Sequence, residues 1–341
     1  MPFTFSEVAT RALAEADRCI TDLRETPVRG RDTKFRLAQQ NMLQYTFGSF
    51  VPGFAADNPG VNGMPYDKLV SRPVENASAE GQLLYGPDYL VKSSAIAKVT
   101  GDIFEVISSA ILWNAAARWN RYMADGNWSG SPRYARPSLK PGPGRQVAAV
   151  NLPRRYDWVK LLVPSARQQV SEIRKELSAK GMGLPTSTPD LAVVALPTEY
   201  SSDAMWRTEV PNLKRENQII LTDAHKQLAG RVKPAEILLA VAFKVSLRSD
   251  RLYQPLYEAN IMQLLLEGRL GAPRVEFEVH TLDRSGTDAI NTYTAASLFG
   301  VATARDDVHR AVRELYEPPN AGELAKRLLG FLGERMSLVK P

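Results

Sequence analysis

The sequence predicts a chain in which strands and helices are mixed throughout, of α/β or α+β class. Three observations carry that expectation. A seven-residue apolar run, Ile237 to Phe243, ends on Lys244 and has the length and character of a buried strand. A second apolar run, Leu191 to Leu196, follows Ser187-Thr188-Pro189-Asp190 and reads the same way. Between Asp102 and Met123, by contrast, Ile103, Phe104, Val106, Ile107, Ile111, Leu112 and Ala115 cover much of a helical circumference, which predicts a central, well-buried helix.

In chain order, Ser6 to Arg24 is expected to be an amphipathic helix with Val8, Leu13, Ile20 and Leu23 inward. A basic turn at Pro27 to Asp32 separates it from a second helix, Phe35 to Phe47. Phe50 to Leu90 is broken by Pro and Gly and reads as a long irregular loop. Asp102 is expected to cap the long helix, on which Glu105 stands out as a lone carboxylate among apolar neighbours. Gly126 to Arg145 is a basic, Pro- and Gly-rich surface loop, and a solvated loop is the simplest reading of it. Gln146 to Asn151 and Asp157 to Leu162 read as strands, and Pro164 to Lys180 as a helix closed by Gly181. Gln218 to Leu221 is expected to be a strand before a short helix near Ala224. Beyond Ile237 to Lys244, a turn carrying Arg248, Ser249, Asp250 and Arg251 starts a helix bearing Glu258. Arg274 to Leu282 and Ala289 to Phe299 read as strands, and Asp306 to Tyr316 and Asn320 to Leu338 as closing helices. No repeat, low-complexity run or linker divides the chain, so one domain with elaborations is expected.

Composition narrows the chemistry. With 44% hydrophobic and 23% charged residues, the 341-residue chain is ordinary for a globular protein. No apolar run approaches the ~20 residues a membrane helix needs, and the N-terminus carries acidic residues where a signal peptide is apolar. A cytoplasmic protein is expected. One cysteine, Cys19, excludes an internal disulfide and a cysteine-based zinc site. The three histidines lie far apart in sequence, so catalysis must rest on carboxylates, lysine and arginine. A net charge of +6 permits polyanion binding without establishing it.

Asp190, Lys244 and Glu258 are the residues around which such chemistry assembles. Phosphodiester hydrolysis needs a hard divalent cation held by oxygens and a positive group near the attacking water. An Asp at the start of one strand and a Lys at the end of its neighbour can supply both. Taken singly, Asp190 is a turn residue, Lys244 a strand-end cation and Glu258 a surface ion-pair partner. Arg248, Asp250 and Arg251, close behind Lys244, match what reads guanine and cytosine edges in the major groove. A two-fold dimer would present that set twice, over a GC palindrome.

At these residues the chain resembles the type II restriction endonucleases that cut around a CCGG core, within the PD-(D/E)XK nuclease superfamily. The likeness runs through PVRGRDTKFRLAQQNML, VNGM, AKVTGDIFE, LPTSTPDLAVV, LAVAFKVSLRSDRLYQPLYEAN and VHRAVRELYEPP. It implies a central mixed sheet flanked by helices, with residues 1–100 as a helical and loop elaboration contributing DNA contacts and residues 101–341 as the catalytic core. It also implies site residues. Asp190, Glu258, Glu105 and the backbone carbonyl of Phe243 would hold Mg2+, for which Mn2+ substitutes, and Lys244 would position or deprotonate the water. Arg248, Asp250 and Arg251 would read the CCGG core, while Arg31 and Lys98 would lie near the outer bases. The superfamily pattern has an acidic residue two before the Lys; here that position is Ala242, and the carboxylate moves to Glu258, as in the CCGG cutters. The partners implied are double-stranded DNA and a second copy of the chain, with DNA-induced higher oligomers. Two rival readings are a DNA-binding protein of this fold that does not cleave, and a structure-directed repair nuclease.

Overall fold

The structure is a computed structural model and describes residues 18–23, 34–54, 58–85, 87, 93–129, 137–142, 144–186, 188–247, 249–284, 289–303 and 308–337. Two strands, β1 (Ile20–Leu23) and β2 (Lys34–Leu37), pair antiparallel. Five more, β3 (Val147–Asn151), β4 (Leu191–Ala195), β5 (Ile237–Lys244), β6 (Glu276–Thr281) and β7 (Glu314–Tyr316), form a second sheet in that order. The β3–β4 and β4–β5 pairs are antiparallel, and β5–β6 and β6–β7 are parallel, so the sheet is mixed. The helices of two turns or more are α1 (Gln39–Phe47), α2 (Tyr66–Tyr85), α3 (Ser93–Asp125), α4 (Pro164–Ala179), α5 (Arg215–Asp223), α6 (Ser249–Gln263) and α7 (Ala321–Ser337). The α/β class with a central mixed sheet is as the sequence predicts.

Each of these elements has a local cause. From Ile237 to Phe243 every side chain of β5 is buried, as a continuous apolar run at the centre of a sheet must be. Helix α3 is buried nearly all round from Ile103 to Met123, packs against β3 and β5, and is covered in turn by α7. Pro164 opens α4, where a missing N–H costs nothing, and Gly181, at φ +71°, closes it. No described helix is long and apolar enough to cross a membrane.

Buried charge fixes the far side of the sheet. Glu278 of β6 is 2% exposed and accepts hydrogen bonds from His280 at 3.0 Å, Arg313 at 3.0 Å and Arg327 of α7 at 2.8 and 3.0 Å. Burial alone would raise its carboxyl; the bonds from His280 and Arg327 outweigh burial and hold it at about 2.

Several expectations are corrected. The expected helix Ser6–Arg24 lies outside the described residues as far as Asp17, and its end, Ile20–Leu23, is strand β1. Phe35 to Leu37 belong to β2, so the second helix starts only at Gln39. The expected loop from Phe50 to Leu90 contains the twenty-residue helix α2, whose Tyr66, Leu69, Val70, Val74 and Ala77 are buried at helical spacing. Helix α3 starts at Ser93, so Asp102 lies inside it. Asp157–Leu162 is a short 3-10 turn whose Val159 N–H donates to the Asp157 carboxylate at 3.1 Å. Gln218–Leu221 is part of α5. Within Ala289–Phe299 the chain forms helical turns, Ala289–Thr292 and the start of Leu298–Ala302. The helix expected at Asp306–Tyr316 ends instead in the edge strand β7.

Candidate active site

Antiparallel pairing sets the start of one strand beside the end of its neighbour. Here β4 leaves the place where β3 and β5 arrive. The Leu152 N–H donates to the Asp190 carbonyl at 2.9 Å, and the Asp190 N–H to the Val241 carbonyl at 2.9 Å. With its backbone held on both sides, Asp190 presents its carboxylate to the end of β5. Its Oδ2 accepts the Phe243 N–H at 2.6 Å and meets Lys244 Nζ at 3.5 Å. Among the described residues no donor bonds to Oδ1.

Helix α3 lowers a second carboxylate to the same place. Phe104 packs edge-on against Phe243, with centroids 5.4 Å apart, which anchors the helix over the end of β5 and carries Glu105 with it. Burial first, and then the charge of Asp190, push the Glu105 carboxyl up to about 7, against a hydrogen bond from Asn151 and the attraction of Lys244. Glu105, Asp190, Phe243 and Lys244 together line a cleft of about 1170 Å3.

The expected site residues are therefore only partly assembled. Glu105, Asp190, Phe243 and Lys244 meet, and Lys98 stands exposed on the same cleft, two turns before Glu105 on the same face of α3. Glu258 is 1% exposed and does not line the cleft; it accepts from Gln254 Nε2 at 2.8 Å, and Gln254 does line it. Glu258 therefore sits one side chain behind the wall. Arg31 and Arg248 lie outside the described residues, as do the side chains of Asp250 and Arg251, whose backbone forms the first turn of α6. Sequence reasoning missed Gln254, Asn151, Arg154 and Arg155. The last two follow β3 directly in LPRRYD, and a basic pair leaving a buried strand was the signal that could have found them.

Do these residues suit a divalent cation? Among the described residues no three His, Cys, Asp or Glu side chains form a metal-binding cluster. Two carboxylates do face one cleft, however, and the charge of Asp190 adds to burial in pushing the Glu105 carboxyl up. A hard cation between carboxylate oxygens relieves that repulsion, so the donor set fits Mg2+ or a similar ion.

The fold is that of a restriction endonuclease. A crystal structure of the Type IIF restriction endonuclease Bse634I with cognate DNA superimposes with a TM-score of 0.70 at 18% identity, over 93% of this chain and 98% of that one. A second structure of Bse634I restriction endonuclease gives 0.67 at 19% identity, over 92% and 96%. No curated protein matches the chain in sequence. The sequence profile of the Cfr10I/Bse634I restriction endonucleases matches residues 50–334, and the chain belongs to that family of site-specific deoxyribonucleases.

Proposed function

We propose that the protein is a type II restriction endonuclease that cuts duplex DNA, with Mg2+, at a palindrome built on CCGG. The observation that carries this reading is the meeting of Asp190 with Lys244 and the Phe243 N–H on the cleft that Glu105 also lines. Asp190, Glu105 and the Phe243 carbonyl are the oxygens available to hold the cation, and Glu258 supports them from behind through Gln254. A bound divalent ion supplies Lewis acidity at the phosphate and a water of lowered pKa. Lys244 orients the attacking water opposite the scissile bond and steadies the charge that grows on the phosphate. In-line displacement then leaves a 5′-phosphate and a 3′-hydroxyl, with no covalent enzyme intermediate.

Arg248, which precedes α6 in sequence, and Asp250 and Arg251 of its first turn read the CCGG core by guanine and cytosine edges. Arg31 and Lys98 contact the outer bases. A homodimer presents two such sets to the two half-sites. Residues 1–341 act as one endonuclease domain, with 1–100 adding DNA contacts to the 101–341 core. The stretches LPTSTPDLAVV and LAVAFKVSLRSDRLYQPLYEAN resemble SgrAI, which implies CR|CCGGYG as the full site and DNA-stimulated assembly of dimers into larger oligomers. Cellular DNA as substrate makes the cytoplasm the place of action.

Incubation of the protein and Mg2+ with two duplexes of equal length, one carrying the CCGG-centred site and one with it scrambled, tests the reading. Cleavage confined to the first is expected. A retarded band without nicking favours a DNA-binding protein that does not cut, and equal cutting of both favours a structure-directed nuclease.

A further inference from the structure

The turn that follows β3 has an unusual residue at its tightest point. The Tyr156 N–H donates to the Pro153 carbonyl at 2.8 Å, closing a four-residue turn with Arg154 and Arg155 at its centre. Arg155 has φ +69° and is the only described non-glycine residue in the left-handed region. Glycine is the usual occupant of such a third turn position, because a side chain there is strained. The turn is also braced. Thr188 Oγ1 donates to the Tyr156 carbonyl, and Asp157 pairs with Arg174 at 2.8 Å. Arg174 also reaches Thr186 at 2.6 Å, and so ties the turn to the segment that leads into Asp190.

What the bracing holds out is charge. Both arginines are exposed, both line the cleft of Asp190 and Lys244, and neither is bonded to any described residue. Of the other charges on the cleft, Asp157 is engaged by Arg174 and Lys244 by Asp190. A turn braced into a strained backbone conformation, whose central side chains make no contact of their own among the described residues, marks those side chains as held for an external ligand. Guanidinium groups without partners among the described residues, beside a proposed phosphodiester-cleaving centre, suit phosphate oxygens.

We infer that Arg154 and Arg155 form a phosphate clamp that grips the DNA backbone beside the scissile phosphate; this rests on the reading of the cleft as a DNA-cleaving site. Such a clamp sets the register of the strand over Asp190 and carries no base information.

The test measures equilibrium binding by fluorescence anisotropy over a range of salt concentrations, on the CCGG-bearing and scrambled duplexes, with Ca2+ replacing Mg2+. Each lost phosphate contact lowers the slope of log K against log salt by about 0.9. Arg155→Gly and Arg154→Ala should each lower it by about that much per subunit engaged. Each should also weaken binding about 10-fold on both duplexes, so that the ratio between them is unchanged. Arg155→Gly should hold or raise the thermal midpoint, because it relieves the left-handed strain, and Arg155→Lys should recover most of the slope. An unchanged slope in both variants, or weakening confined to the CCGG duplex, overturns the clamp while leaving the cleavage reading intact. Failure of the unaltered protein to bind either duplex overturns both.

Discussion

Replacing Glu105 by Gln is expected to stabilise the metal-free protein at alkaline pH while abolishing cleavage. Burial, and then the Asp190 carboxylate, raise the Glu105 carboxyl from 4.5 to about 7. Across that window the unfolded chain has released the proton and the folded chain still holds it. The folded state thus binds more protons, and the free energy of unfolding falls as pH rises. The penalty is absent below the unfolded value and complete above about 7, where it is on the order of 3 kcal/mol. Gln has nearly the same shape without the charge, and its amide can donate to Asn151 Oδ1, which is buried and has no hydrogen-bond partner among the described residues. Urea unfolding followed by tryptophan fluorescence, in chelator, should therefore place Glu105→Gln about 1–3 kcal/mol above the unaltered protein near pH 8.5. Near pH 4 the two should coincide. Added Mg2+ should narrow the alkaline gap, because binding stabilises only the protein that keeps the carboxylate. Equal or lower stability of the variant at pH 8.5 would refute the claim that ionised Glu105 is strained beside Asp190.

Lys244→Ala should bind CCGG-bearing DNA and fail to cut it in single-turnover assays with Mg2+; retained cleavage removes Lys244 from the mechanism. Arg251→Ala should lose ~1–3 kcal/mol of discrimination at one guanine, measured by competition with singly substituted duplexes, and unaltered selectivity excludes it from base reading. Glu278→Ala leaves Arg313 and Arg327 without their shared buried carboxylate and should lower stability by about 3–5 kcal/mol. Denaturant titration at neutral pH checks this, and a loss under 1 kcal/mol would show the network is not what holds α7 to the sheet. Because the folded Glu278 carboxyl lies below its ordinary value, that contribution exists at neutral pH and is lost as pH falls through the ordinary carboxylate range to about 2.

What the sequence disclosed follows from where burial dominates. The runs Ile237–Phe243 and Leu191–Val194 are buried at every position, so composition alone identifies them, and the antiparallel register between them brings Asp190 to Lys244. Where polar side chains do the core's work, hydrophobic pattern misleads. Ile219 and Ile220 drew Gln218–Leu221 toward a strand, yet they are 51% and 41% exposed on α5. The inward positions there are Asn217, Gln218 and Leu221, and Gln218 Nε2 donates to the Gln40 carbonyl at 2.9 Å and the Leu213 carbonyl at 2.8 Å. Helix α2 was hidden by Pro73 within it, although its buried residues keep a helical spacing. The turn Leu298–Ala302 is capped locally by Ser297 and held from afar by Asn260, whose Oδ1 accepts the Leu298 N–H at 2.7 Å, and no local pattern reports the distant partner. Strand β7 forms by parallel pairing with β6, flanked by the ion pairs of Arg313 and Arg327 to Glu278, and none of this is legible until β6 is in place. Within the site, Asp190, Lys244 and Glu105 were visible as charges set in apolar runs. Arg154 and Arg155 were less so: a basic pair leaving a buried strand is a signal, but only its backbone conformation separates it from a solvated turn.

The bond from the Phe243 N–H to Asp190 Oδ2, at 2.6 Å, gives a single oxygen atom both a masonry duty and a chemical one. A protein silenced by Asp190→Ala therefore also leaves a strand amide unanswered, whereas one silenced at Lys244 keeps its sheet whole. Inactive copies made at the two positions are not interchangeable controls: only the lysine substitution separates the loss of cutting from the loosening of the wall behind it.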